Sequence, residues 1–332
     1  MVLYFYYMKQ VSILIPKGHT SLTNIEGTHQ ILSMVNTIMA EMGRPAVFNI
    51  KLVGLSKQTT QTTGLFTVNP ELLISEVDKT DLIIIPAIYG DHTQILKDNQ
   101  DLIPWIVNQY KQGAEVASLC IASFFLAQTG LMDGKKCTTH WRMANEFRAM
   151  FPQIELIDDK IMTEEQGIYT SGGAYSYLNL LMYLVEKFAG REMAIMISKA
   201  FMIELDRHSQ SPFIIFQGQK MHDDEAVKQA QAFIEKHYND KITVDQLAEM
   251  LALGRRSLER RFKKATSNTV VEYMQRVKIE AAKKNFETNR KNVNEVMYEV
   301  GYTDTKAFRE TFKKITGLSP IEYRNRYNKE AA

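Results

Sequence analysis

Cysteine is scarce: 332 residues hold two, Cys120 and Cys137. One pair cannot staple a small extracellular scaffold, so a disulfide framework is excluded and a reducing cytoplasm is the expected setting. Long apolar runs are missing too. No stretch approaches the roughly 18 apolar residues that a membrane span needs. The opening Met1–Tyr7 is apolar but short and has no charged start or cleavage site, so no secretory leader and no membrane partner are expected. Tyr4 to Tyr7 and the methionines near 193 to 202 read as core or dimer contacts. A strong charge of one sign is also absent, with 40 Lys+Arg against 38 Asp+Glu. That balance hides an asymmetry. From Lys220 onward there are 23 Lys+Arg against 17 Asp+Glu, and the preceding residues have 17 against 21.

What is present is a repeat inside the basic part. Residues 262–273, FKKATSNTVVEY, align with 312–323, FKKITGLSPIEY, and Phe, Lys, Lys, Thr, Glu and Tyr recur at one offset. A fixed-offset repeat marks a duplicated supersecondary unit. In the first copy Thr243 caps a helix over Val244–Leu251, with Gln246 as capping-box partner. Leu247, Ala248 and Leu251 form its buried face, and Gly254 supplies the turn. A second helix, about Arg255 to Lys264, buries Leu258 and Phe262 and leaves Arg255, Arg256, Glu259, Arg260 and Lys263 outside. In the second copy Asn292 and Glu295 form the cap, and Val293, Val296, Met297 and Val300 form the buried face. Gly301-Tyr302 make its turn. Phe308 and Phe312 are buried on a helix that exposes Thr305, Lys306, Arg309 and Glu310. One long amphipathic helix, Val271 to Phe286, spaces the copies.

Two helix-turn-helix units in tandem point to double-stranded DNA. A recognition helix fits the major groove, where Arg binds guanine bidentately. Lys and Arg on the flanks neutralise phosphates. Two such helices about 34 Å apart enter successive major grooves. One basic pair alone reads as a solvated helix face; the duplicated cap, turn and helix decide for DNA. The segment from Asp223 to Tyr327 resembles the AraC/XylS-type DNA-binding domain. Val300-Gly301-Tyr302, Phe308, Phe312, Gly317, Ser319-Pro320 and Tyr323-Arg324 carry the resemblance. It implies base reading by Arg256, Glu259 and Arg260 in the first copy, beside Arg255, and by Thr305, Lys306, Arg309 and Glu310 in the second. The first copy departs from the pattern, with Gly254 where Ser or Thr caps, and with Ser267 and Val270 where Gly and Pro are common.

The first 217 residues alternate strands and helices. Val11–Pro16, Phe48–Val53, Asp81–Pro86, Glu115–Leu119 and Ile168–Ser171 read as strands. Ile25–Glu41, Ile121–Thr129 and the stretch from Gly172-Gly173 to Phe188 read as helical. The alternation implies a doubly wound α/β sheet, flavodoxin-like in type, whose ligands sit at the carboxyl ends of the strands. Cys120 occupies such a place, with small neighbours Ser118 and Ala122, as a nucleophile elbow requires. A helix N-terminus lowers a thiol pKa, and His140 is a possible base. The plain alternative is an inert core cysteine.

Residues 11 to about 200 resemble the PfpI-like branch of the class I glutamine amidotransferase-like fold. Cys120, Leu126-Ala127, Gly130-Leu131, Asp133-Gly134, Thr138-Thr139-His140-Trp141 and Thr170-Ser171-Gly172-Gly173 carry it. The branch contains thiol hydrolases and glyoxalase-like enzymes, and its fusions to an AraC-type reader are regulators in which the old active-site pocket senses a small molecule. Here the stretch from Gly18 to Asn24 has no acid before Glu26, the glycine common two after the cysteine is Ala122, and an Asp usual in the regulators is Asn179. The expectation is therefore a non-enzymatic transcription regulator needing neither metal nor cofactor. Its α/β part (1–205) dimerises and binds an effector near Asn24, Cys120, Ile121, His140, Gly172 and Gly173. A linker (206–222) leads to the reader (223–332), which engages DNA and RNA polymerase, with activation as the expected output. The rival classes are a thiol hydrolase or amidase joined to a DNA-binding module, and a constitutive architectural DNA binder.

Overall fold

The computed structural model describes residues 7–61 and 64–328; the opening Met1–Tyr6 lies outside the described residues. The chain divides into two compact units, residues 1–210 and 211–332. Among the described residues no helix is long and apolar enough to cross a membrane.

The first unit is built on seven strands: β1 (Lys9–Ile15), β2 (Phe48–Gly54), β3 (Leu72–Leu73), β4 (Leu82–Ile85), β5 (Glu115–Ser118), β6 (Met162–Glu165) and β7 (Ile168–Ser171). Their spatial order is β6-β7-β5-β4-β1-β2-β3. Every pairing is parallel except β6 with β7. The helices are α1 (Leu22–Glu41), α2 (His92–Asp98), α3 (Leu102–Lys111), α4 (Ala122–Ala127), α5 (Ala144–Met150), α6 (Tyr177–Ala189) and α7 (Arg191–Phe201). Successive strand side chains point to opposite faces. Val11, Ile13 and Ile15 therefore pack with Leu32, Val35, Leu180 and Ile197 on one side. Leu14, Ile83 and Ile85 pack with Ile106, Phe125 and Phe147 on the other. Covering both faces is what lets the central strands be continuously apolar, each buried Ile or Leu contributing about 1.5–3 kcal/mol. Strand order reverses between β1 and β4, and the crevice beyond their carboxyl ends is where such sheets bind ligands.

The second unit is all helical: α8 (Glu225–Lys236), α9 (Val244–Met250), α10 (Arg255–Thr266), α11 (Val270–Thr288), α12 (Val293–Glu299), α13 (Thr305–Thr316) and α14 (Pro320–Tyr327). The expected capping boxes Thr243/Gln246 and Asn292/Glu295 are formed, and two more, Thr269/Glu272 and Ser319/Glu322, open α11 and α14. Each copy has its own core. Leu247, Leu258, Phe262 and Tyr273 belong to the first; Val296, Phe308, Phe312 and Tyr323 belong to the second. The two ends of α11 serve both, Val270 and Tyr273 packing in one and Ile279, Ala282 and Phe286 in the other.

Two expectations change. The turn of the first copy bends at Ala252, whose φ is +51°, and Gly254 is instead the extended N-cap of α10. Residues 206–222 are not a free tether. Gln210 is 1 % exposed inside the first unit, and the backbone from Pro212 to Gln219 is hydrogen-bonded onto the helices of the second. Backbone polar groups held against a folded surface find their partners there, which is why it lies packed down.

Candidate functional site

The first site forms where β5 ends. Cys120 takes a left-handed φ of +58°, a conformation costly for a side-chain-bearing residue and held only by its surroundings. Its N–H donates to Ser171 Oγ (3.0 Å) at the end of β7, and its carbonyl accepts from Ser123 Oγ (3.4 Å) and Thr139 Oγ1 (3.5 Å). These bonds bring four expected site residues, Cys120, His140, Gly172 and Gly173, into one neighbourhood. Ser171 leads into Gly172-Gly173, Thr139 leads into His140, and a Cβ on Gly173 would lie 3.8 Å from the His140 ring. Ile121 follows the thiol as the N-cap of α4. Asn24 is buried, and its side-chain oxygen accepts from Ala87 N (3.1 Å), so it ties α1 to the segment after β4. That segment delivers Tyr89, whose ring packs 5.2 Å from His19 and whose phenol is raised by burial first and by the nearby Cys120 second.

The electrostatics run against an activated thiol. Burial pushes the Cys120 thiol up to about 11, and the Ile121 N–H opposes this without reversing it. Burial and the Arg142 charge lower the His140 pKa, so its ring is neutral at neutral pH. Its Nδ1 accepts from Arg142 N (3.2 Å) instead of serving the thiol. Among the described residues no carboxylate shifts either group. A short helix start, α4 having six residues, does not outweigh removal of the sulfur from water. Cys137 is likewise buried, with its thiol pushed up to about 12.

Sequence inspection missed Gln210. Its Oε1 accepts from Gly173 N (3.0 Å), and its Nε2 donates to Thr139 O (3.0 Å), Lys160 O (3.1 Å) and Thr138 Oγ1 (3.3 Å). A Cβ on Gly172 would fall 2.8 Å from this amide, so Gly172 is needed for the close approach. Nothing local marks Gln210, because its partners lie 37 to 72 residues away.

The second site is the outer face of the tandem helices. Arg256, Glu259 and Arg260 are exposed on α10, as are Lys306, Arg309 and Glu310 on α13; Thr305 is half-buried at its start. Among the described residues no ion pair engages Arg256, Arg260 or Arg309. Arg255 differs, bridging Asp245 (3.0 Å) and Glu259 (3.3 Å), and Lys306 lies 4.0 Å from Glu310. Arg261 points inward and holds Asp224 in a two-pronged bridge, which keeps that carboxyl below its usual range.

Comparison with known proteins follows the same division. The profile of the DJ-1/PfpI family matches residues 11–187. The chain belongs to the DJ-1/PfpI family. Unlike a bare DJ-1/PfpI domain, it carries a helix-turn-helix domain, matched over residues 247–326. It is 22% identical over 261 residues to the HTH-type transcriptional regulator GbdR of Pseudomonas aeruginosa, covering 77% of this chain and 69% of that protein. It is 24% identical over 216 residues to the HTH-type transcriptional regulator ArgR of the same species, covering 65% of each. A putative transcriptional regulator protein from Vibrio parahaemolyticus superposes with a TM-score of 0.52 at 23% identity, over 60% of this chain and all of that one.

Proposed function

We propose that the chain is a sequence-specific DNA-binding transcription regulator, controlled by a small molecule held at the Cys120–His140–Gly173 site. The observation that carries this is the pair of matching helices, α10 and α13, whose Arg256, Arg260 and Arg309 are exposed and, among the described residues, meet no carboxylate in an ion pair. Unpaired guanidinium groups on two repeated helices suit successive major grooves. The relatives named as regulators support the same reading. A cytoplasmic homodimer that also contacts RNA polymerase belongs to this proposal.

Binding is favoured over turnover at the first site. With its thiol pushed up to about 11, Cys120 stays protonated at neutral pH. One feature favours the rival thiol hydrolase, the left-handed Cys120 elbow. Alkylation kinetics separate the two: a sensor thiol labels slowly until the pH nears 11, whereas fast labelling at pH 7 restores the hydrolase.

The deciding experiment selects genomic fragments with the purified chain and titrates the best one against salt. Site-specific binding that protects two adjacent major grooves supports the regulator. Sequence-indifferent binding with the same salt slope, set by phosphate neutralisation alone, refutes it.

A further inference from the structure

Gln210 and Ser211 are neighbours in the chain, yet each is fastened to a different unit. On the Gln210 side, the backbone N–H donates to Asp159 O (2.9 Å) and the amide fills the space under Gly172-Gly173 beside His140. On the Ser211 side, the next eight residues bond both helix-turn-helix copies. Pro212 O accepts from Tyr327 of α14, and the Arg326 guanidinium lies over the Phe213 ring. Ile214 O accepts from Lys283 Nζ (2.5 Å), and Phe216 N donates to Glu280 (3.0 Å), both on α11. Phe216 packs edge-on to Tyr273 of the first copy, and Gln219 O accepts from Gln231 of α8 (2.8 Å). Lys283 and Glu280 are a buried pair, 4 % and 12 % exposed and 2.8 Å apart, and they bond the segment rather than each other alone. A buried ion pair on an otherwise apolar helix face is costly unless it has such a task.

We propose that Gln210 is the coupling residue of the chain: its amide is an internal occupant of the effector site, and its displacement by ligand loosens the 211–219 segment that clasps both helix-turn-helix units. This rests on the reading of that site as a ligand pocket. Gly173 N–H is the donor that a ligand carbonyl or carboxylate at this position would seek, and Gln210 Oε1 already fills it. A ligand taking that donor releases the amide. The release reaches Ser211 through a single peptide bond, with no contact between the units required. The shift is limited to the difference in ligand affinity between the seated and displaced states.

The test needs no known ligand. Gly172→Ala places a methyl within 2.8 Å of the Gln210 amide and so evicts it. Hydrogen–deuterium exchange of the full chain then follows peptides covering 211–219, where the Ile214 and Phe216 N–H groups are bonded. Exchange there should rise about tenfold in Gly172→Ala and in Gln210→Ala, while α1 and α6 keep their protection. The double variant should match Gln210→Ala alone. Unchanged exchange in the segment, or effects that simply add, overturns the proposal. If Gly172→Ala unfolds the α/β unit, Gln210→Ala decides alone, because it introduces no clash. Fragment selection on the same samples separates the two readings. Specific DNA binding with an unresponsive segment removes the coupling and leaves the regulator; a responsive segment without specific binding does the reverse.

Discussion

The two helix-turn-helix copies have the same interior and different edges. Phe262 packs edge-on to Tyr273 at 5.3 Å, and Phe312 to Tyr323 at 5.5 Å. Each tyrosine hydroxyl donates to a glutamate, Glu235 in one copy and Glu287 in the other. Each recognition helix ends with a threonine, Thr266 or Thr316, bonding back to the phenylalanine carbonyl four residues earlier. The edges diverge. The turn of the second copy is one residue longer, α9 and α12 being offset by 49 and α10 and α13 by 50. Gly301 makes its bend because a Cβ there would meet Asn239 O at 2.2 Å, whereas Ala252 bends the first turn unaided. Asp304 caps α13 with its side chain, and Gly254 caps α10 with none. Packing is thus repeated where volume must be conserved, and capping and charge vary where solvent or DNA is the neighbour.

The strongest way to break the comparison is to empty one core. Phe262→Ala and Phe312→Ala remove fully buried rings, each costing about 3–5 kcal/mol. If the copies are separate cores joined by α11, exchange protection should be lost in the substituted copy and kept in the other. Loss throughout both would show a single cooperative unit.

Next come the arginines proposed to face the groove. Arg260→Ala and Arg309→Ala should each weaken the best DNA site by about 1–3 kcal/mol and relax its sequence preference. Arg255→Ala should do less, because that guanidinium is already held by Asp245 and Glu259. Competition titrations against mismatched sites measure all three. Unaltered discrimination in Arg309→Ala would confine base reading to the first copy.

The caps sharpen the contrast at lower energy. Asp304 Oδ1 accepts from Ala307 N at 2.6 Å, so Asp304→Ala should cost about 0.5–2 kcal/mol. Gly254→Ser should gain only a few tenths, since glycine is itself a tolerable N-cap. Urea midpoints report both, and equal effects would mean that the α10 cap is supplied elsewhere.

Much of this was legible in the sequence because it is local. The Thr243 and Asn292 boxes, the strand over Ile168–Ser171 and the buried pairs Leu258/Phe262 and Phe308/Phe312 all follow from spacing within one or two turns. The elbow position of Cys120 was legible for the same reason. Its protonation was not, since a sequence shows the helix start that lowers a thiol and hides the burial that raises it. Arg255 looked like its neighbours until Asp245 came within 3.0 Å. Gln210 and the 211–219 segment read as a polar linker, because what fixes them is long-range: Thr139 lies 71 residues before Gln210, and Lys283 lies 69 after Ile214.

The smallest effect concerns how each recognition helix stops. Ser267 closes α10 at φ +57°, and Gly317 closes α13 at φ +75°, both left-handed. A Cβ is disfavoured there, and glycine is not. Each residue donates its N–H to a lysine carbonyl, Lys263 or Lys313, so the closing bond is common; the first copy adds a bond from Lys263 Nζ to Ser267 O (2.9 Å). Ser267→Gly should therefore stabilise the first copy by about 0.5 kcal/mol, with the gain in the folded state partly offset by a freer unfolded chain. Gly317→Ser should lose a similar amount. Thermal midpoints of the paired variants test this. Opposite shifts of like size would place the difference in the backbone alone. A loss in Ser267→Gly would mean that the serine hydroxyl has a role which the shared geometry conceals.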